Sequence, residues 1–171
     1  MTPSFDTSRP RPVPTVLDAL RTRIDHSAFD AAVFWLETVA SDLGYGDIRA
    51  LPGSVAWIDA LRAEGKRTVL ISSGERAEAA ANLAGIGDRF DVVLSGARAA
   101  ATYTRALEPV EVEPARTVVI DAVPAGIGAA RDAGIGFTIA VARDGASAEQ
   151  LRRSGADTVV ADLQELLAAT R

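Results

Sequence analysis

Six short apolar runs, most of them rich in Val and Ile, recur along this chain with amphipathic stretches of about helical length between them. Strands buried on both faces read as nearly continuous apolar segments, so this alternation predicts a parallel sheet covered by helices on both sides. The predicted strands are 31–36, 67–72, 91–94, 117–121, 136–141 and 158–160; the predicted helices are 54–64, 75–84, 99–107, 125–133, 148–154 and 163–168. Gly65, Gly85, Gly134 and Gly155 stand where left-handed C-caps would end four of those helices. The fold class is α/β, a three-layer Rossmann-like arrangement. In such open sheets ligands lie beyond the carboxyl ends of the strands, near the reversal of strand order. That rule places the candidate site within 35–38, 72–74, 95–98 and 121–124.

A chain of 171 residues, 48% hydrophobic, suffices for one globular domain with an ordinary core. Residues 16–171 are assigned to it, beginning with a short helix at 16–24. Residues 1–15, with Pro3, Pro10, Pro12 and Pro14 among polar neighbours, are expected to be a flexible lead-in without the apolar core of a secretory signal. No apolar run reaches the roughly 18 residues that cross a bilayer, so a soluble, cytoplasmic protein without a membrane partner is expected. The absence of cysteine excludes disulfides, a thiolate nucleophile and cysteine zinc sites. A net charge of −5 and scattered basic residues argue against nucleic acid as a partner.

Five segments in order carry a resemblance. They are Leu51-Pro52-Gly53 before a helix ending Ala63-Glu64-Gly65; Val69-Leu70-Ile71-Ser72-Ser73; Phe90-Asp91-Val92-Val93-Leu94-Ser95-Gly96; Val118-Val119-Ile120-Asp121 running on to Ala133-Gly134; and Ser154-Gly155-Ala156-Asp157 before the last strand. Together they resemble the β-phosphoglucomutase-like branch of the haloacid dehalogenase superfamily. The resemblance implies phosphoryl chemistry with an Asp-x-Asp pair after the first strand, a Ser or Thr after the second, a Lys, and an acidic pair that helps hold Mg²⁺. A carboxylate that attacks a phosphate meets like-charge repulsion, so metal and lysine must cancel charge where it accumulates.

Matched residue by residue, that machinery is depleted. Trp35 stands at the nucleophile position, and an indole has neither a nucleophilic oxygen nor a lone pair for Mg²⁺. Glu37 matches the acid/base position. Ala97 replaces the lysine, with Arg98 beside it, and Ala122 replaces the second acidic residue after Asp121. Ser72 keeps the phosphate-holding position, and Ser73 and Gly74 are expected to open the next helix, whose N–H groups favour an anion. The resemblance also implies a helical lid after the first strand, where this chain has only residues 40–51.

Plainer roles stand beside these. Trp35 is a plug of a vacated pocket or a stacking platform, Asp121 a cap of the helix near Pro124 or a cation ligand, and Glu37 a solvated loop residue or an acid. The 97–101 tract is read as a plain helix start, and His26, the sole histidine, is given no metal role. The expectation is a catalytically inactive scaffold with no cofactor, binding a protein partner or a second copy through the face left open by loss of the lid. The alternatives are a non-catalytic phosphate or phosphosugar sensor using Ser72, Ser73, Gly74, Arg98 and Asp121, and an active phosphohydrolase, Mg²⁺-dependent, with Glu37 or Asp42 as a relocated base.

Overall fold

The computed structural model describes residues 24–42, 46–143 and 145–169. The tail at 1–15 and the predicted helix at 16–24, apart from Ile24, lie outside them. Among the described residues, eight strands run in chain order: β1 (Ala31–Trp35), β2 (Ala40–Asp42), β3 (Ile48–Ala50), β4 (Arg67–Ser72), β5 (Val92–Ser95), β6 (Thr117–Asp121), β7 (Phe137–Val141) and β8 (Thr158–Val160). The α-helices described with them are α1 (Pro52–Ala63), α2 (Ala77–Leu83), α3 (Ala100–Leu107), α4 (Pro124–Asp132) and α5 (Ala148–Arg153).

Six strands form one parallel sheet in the order β5-β4-β1-β6-β7-β8, with Val33 opposite Val69 on one side and Val119 on the other. The connections leave in opposite directions on either side of β1, so the crevice between the ends of β1 and β6 is the switch point at which this architecture binds ligands. Trp35 ends β1 and Asp121 ends β6.

The period-two alternation of a strand divides the core between the two faces. Phe34, Leu70, Ile120 and Ile139 pack against Trp57, Ile58 and Leu61 of α1 and against Ala81 of α2. Val33, Trp35, Ile71 and Val119 pack against Tyr103, Ala106 and Leu107 of α3 and against Ala129 and Ala130 of α4. The α/β expectation is thereby met.

The departures are local. Pro52 opens α1 two residues before the predicted start, because its missing N–H costs nothing in the first turn. Leu36 leaves the strand and begins a 3₁₀ turn, Leu36–Thr38. The segment predicted as helix at 163–168 is a 3₁₀ helix, Leu163–Ala169. Residues 40–51 hold an unforeseen antiparallel pair, β2 with β3, in which Ser41 lies opposite Arg49. Ser54 Oγ ties α1 to the base of that pair by donating to the Thr38 carbonyl at 2.7 Å. His26 opens a 3₁₀ turn, His26–Ala28; its Nδ1 meets the Glu64 carboxylate at 2.7 Å, and its ring stands edge-on to Phe29 and Trp57.

Candidate functional site

Trp35 is wholly buried at the end of the central strand. Its Nε1–H donates to the Tyr103 hydroxyl at 2.9 Å, and that hydroxyl donates to the Gly126 carbonyl at 2.9 Å. The indole therefore joins the sheet to α3 and α4 with every polar atom of the relay satisfied. Burying an aromatic side chain of 150–250 Å² is worth roughly 4–6 kcal/mol. Burial first, and the Asp121 charge after it, raises the pKa of Tyr103 against the opposing pull of Trp35 and Arg98, so the phenol stays protonated.

Arg98 lies over the indole, its Cζ 4.2 Å from the ring centroid. The loop that carries it is tight: the Gly96 N–H donates to the Ser72 carbonyl, and the Ala99 N–H reaches back to the Ala97 carbonyl at 2.9 Å, a γ-turn centred on Arg98. From that turn the guanidinium points inward. Its Nε and Nη2 each reach one oxygen of Asp121 at 3.0 Å, and Nη2 also contacts Glu37 Oε1. A helix does start within the 97–101 tract, where α3 begins at Ala100 behind an uncapped Ala99, and Arg98 just before it turns towards Asp121 and Glu37.

Asp121 is completely buried. Besides the arginine fork, its Oδ1 accepts the N–H groups of Ala122 at 2.7 Å and Val123 at 3.3 Å. Four donors thus saturate one carboxylate. Burial raises its pKa, while Arg98 and the two backbone N–H groups pull the other way. Asp121 is not the N-cap of α4 expected near Pro124: Val123 holds that position, with a side chain that offers no capping oxygen, and Asp121 binds the Ala122 and Val123 N–H groups just ahead of the helix while its other contacts go to Arg98. Glu37 sits on the 3₁₀ turn after β1 with its side chain 41% exposed, an ion-pair partner rather than a solvated loop residue.

The phosphate-holding group is only partly assembled. Ser72 Oγ accepts the Gly74 N–H at 3.2 Å. Ser73 and Gly74 do not open a helix, since α2 begins at Ala77 after a bend and a turn, so the expected cluster of free N–H groups is not at these residues. Ala97 is exposed and Ala122 half-buried; the latter lines a cleft of about 370 Å³ beside the site with Glu37, Asp42, Pro124 and Arg143. Among the described residues no group of three or more His, Asp or Glu side chains converges in metal-binding fashion.

Two contributors were missed in sequence. Tyr103 carries no local signal, being one apolar position of an amphipathic helix. Gly126 does carry one, a glycine in the first turn of a helix: a Cβ there would overlap Asp121 Oδ2 and crowd Arg98 Cδ.

Sheet order, strand-end residues and the buried carboxylate after the fourth strand of the main sheet define the haloacid dehalogenase type of α/β domain. The family model for haloacid dehalogenase-like hydrolases matches residues 15–134, and the chain belongs to that family. A candidate β-phosphoglucomutase from Thermotoga maritima is similar at 17% identity and a TM-score of 0.71, over 82% of this chain and 97% of that one. A family hydrolase from Deinococcus radiodurans, solved with phosphate and sodium, is 21% identical with a TM-score of 0.70, over 83% and 95%. CbbY from Rhodobacter sphaeroides, a mutant solved with xylulose-1,5-bisphosphate, is 24% identical with a TM-score of 0.58, over 73% of this chain and 60% of that one. No curated protein matches the chain by sequence.

Proposed function

We propose that this chain is a non-catalytic member of its family, in which an internal ion-pair cluster has taken the place of the phosphoryl-transfer centre. The observation that carries the reading is the position of Arg98: one guanidinium spans Glu37 and Asp121 and covers the indole at the nucleophile position. Mg²⁺ requires near-octahedral oxygen ligation. The carboxylates at hand are committed to an arginine and the third position is an aromatic ring, so the donor set does not fit the metal.

The same contacts oppose attack on phosphorus. The Trp35 ring supplies no nucleophile, and Glu37 is engaged by the Arg98 guanidinium rather than poised over a substrate. Loss of one general acid or base costs about 10²–10⁴ in rate, and groups that act as a unit leave little behind when several are gone. The fold then serves as a scaffold: the cleft beside the strand ends, with Arg143 and Glu37 on its walls, offers a polar surface to another protein or to a second copy.

The test is hydrolysis of an aryl phosphate and of sugar phosphates by the purified chain with Mg²⁺. The expected result is release of phosphate at the rate of buffer alone. Turnover well above buffer that is lost in Ser72→Ala would overturn the reading in favour of an active phosphohydrolase.

A further inference from the structure

At the end of the sheet opposite the candidate site, a cleft of about 300 Å³ crosses the N-terminal ends of three neighbouring strands. Phe29 leads into β1, Ala115 precedes and Thr117 begins β6, and Gly136 precedes and Phe137 begins β7. The walls are mostly apolar, and Phe137 stays half-buried although it packs on the core of the α1 face. Ile24, the first described residue, is itself part of the wall and packs on the same core, and the chain then passes through Asp25 into the 3₁₀ turn His26–Ala28. Residues 1–23 therefore join the domain at the rim of this cleft.

We propose that the segment 15–23 of the same chain covers the cleft, with Leu20 and Leu17 following Ile24 across it. The sequence predicts a helix at 16–24, and Leu17, Leu20 and Ile24 fall at i, i+3 and i+7, on one stripe. Asp18 and Thr22 fall on the opposite side. Thr15, with Asp18 three residues on, has the spacing of a capping box just ahead of the apolar run.

The spacing of the stripe matches that of the strands. At a rise of 1.5 Å per residue, Leu20 and Leu17 lie about 6 and 10 Å along a helix from Ile24. Neighbouring strands are about 4.8 Å apart, so the starts of β6 and β7 lie about 5 and 10 Å from that of β1. A helix laid across the strand ends thus brings one apolar side chain to each: Ile24 beside Phe29, Leu20 over Thr117 and Leu17 over Phe137. The covalent link at Ile24 favours this occupant over a second copy, because a short tether holds the segment at an effective concentration on the order of millimolar. The cleft lies at the far end of the strands from Arg98 and Asp121, so this inference and the non-catalytic reading fail separately.

The chain has no cysteine, so Leu20→Cys and Thr22→Cys each introduce a single thiol into the full-length protein. Labelling with an aromatic disulfide reagent is expected to be slower at Leu20→Cys than at Thr22→Cys by about ten-fold or more, because the thiol must wait for the segment to open. Ala115→Glu and Ala28→Glu each add a charge at an exposed position on the cleft wall. Each should raise the Leu20→Cys rate to that of Thr22→Cys, since a carboxylate is costly to cover with leucine, while circular dichroism shows the domain folded. Equal rates at the two thiols overturn the proposal. So does protection of Leu20→Cys that persists in both glutamate variants, which would put the segment elsewhere on the domain. Protection that disappears on dilution also overturns it, since a second copy would then supply the segment.

Discussion

The Arg98 guanidinium rests 4.2 Å above the Trp35 ring while its edge holds both oxygens of Asp121. A cation stacked on an aromatic face gains about 0.5–2 kcal/mol, more when water is excluded. A bidentate fork to a buried carboxylate adds charge-assisted bonds that water does not screen. The indole and the arginine therefore explain one another: a ring without charge needs a neighbour to balance Asp121, and a guanidinium finds both a flat surface and a counter-ion.

Arg98→Ala should destabilise the fold by about 3–5 kcal/mol, the range for removing one partner of a buried pair. Asp121→Asn in the same background should recover part of that loss, because a neutral amide is cheaper to bury than an unpaired carboxylate. Urea unfolding of the wild type, both single variants and the double variant checks this, with a coupling energy of at least about 1 kcal/mol expected. Strict additivity would mean that the pair contributes nothing in solution.

The pH dependence follows from the raised pKa of Asp121, which burial drives above the ordinary 3.8. Between the unfolded and the folded value the native state binds the proton more tightly, so acidification through that window favours folding as far as this group is concerned. The contribution is fully present below 3.8 and is lost as pH rises through the folded pKa. The stability of the wild type relative to Asp121→Asn should therefore increase as pH falls from neutral towards 3.8. Asp25 and Asp30 act in the opposite sense, their pKa values being lowered by hydrogen bonds from Ser27 and Arg116, and they cancel in this comparison.

Much of the site was legible because strand ends are legible. Apolar runs expected to end at Leu36 and Asp121 place both segments at the crevice of any parallel sheet, one residue from the observed end of the first strand, and the roles matched to Trp35, Glu37, Ala97 and Ala122 come from the family resemblance. The inward turn of Arg98 was not legible: a γ-turn between Ala97 and Ala99 depends on Gly96 docking against Ser72, a contact between distant parts of the chain. The β2–β3 pair was hidden for another reason, since three-residue strands are too short to show a period. The helix after Ser73 begins late because its first candidates, Glu75 and Arg76, are spent in a turn, and neither sequence neighbour marks the change.

Trp35→Phe should fold and cost about 1–3 kcal/mol, from the lost hydrogen bond to Tyr103 and a smaller buried ring. Trp35→Ala should cost about 3–5 kcal/mol, since it also opens a cavity and removes the surface under Arg98. The telling measurement is the coupling to Arg98→Ala. It should be marked for Trp35→Ala and weaker for Trp35→Phe, which keeps an aromatic face beneath the guanidinium.

Gly126→Ala tests whether the cluster or merely its members matter, because it leaves every charged residue in the sequence and changes only the space they occupy. Gly126 lies in the first turn of α4, and the place of its missing Cβ is taken by the Asp121 carboxylate, with Arg98 Cδ 3.2 Å away. A methyl group there forces the carboxylate to move. Asp121 cannot move towards solvent, being held by the Ala122 and Val123 N–H groups on one side and the arginine fork on the other. Alanine is ordinarily the better helix former by about 1 kcal/mol. Here the substitution should instead destabilise by about 1–3 kcal/mol, the cost of overpacking, and should shrink the coupling between Arg98 and Asp121. Thermal unfolding of Gly126→Ala, with and without Asp121→Asn, checks it: the isosteric amide variant should tolerate the methyl no better, since the clash is steric, whereas Asp121→Ala should restore much of the stability that the methyl removed.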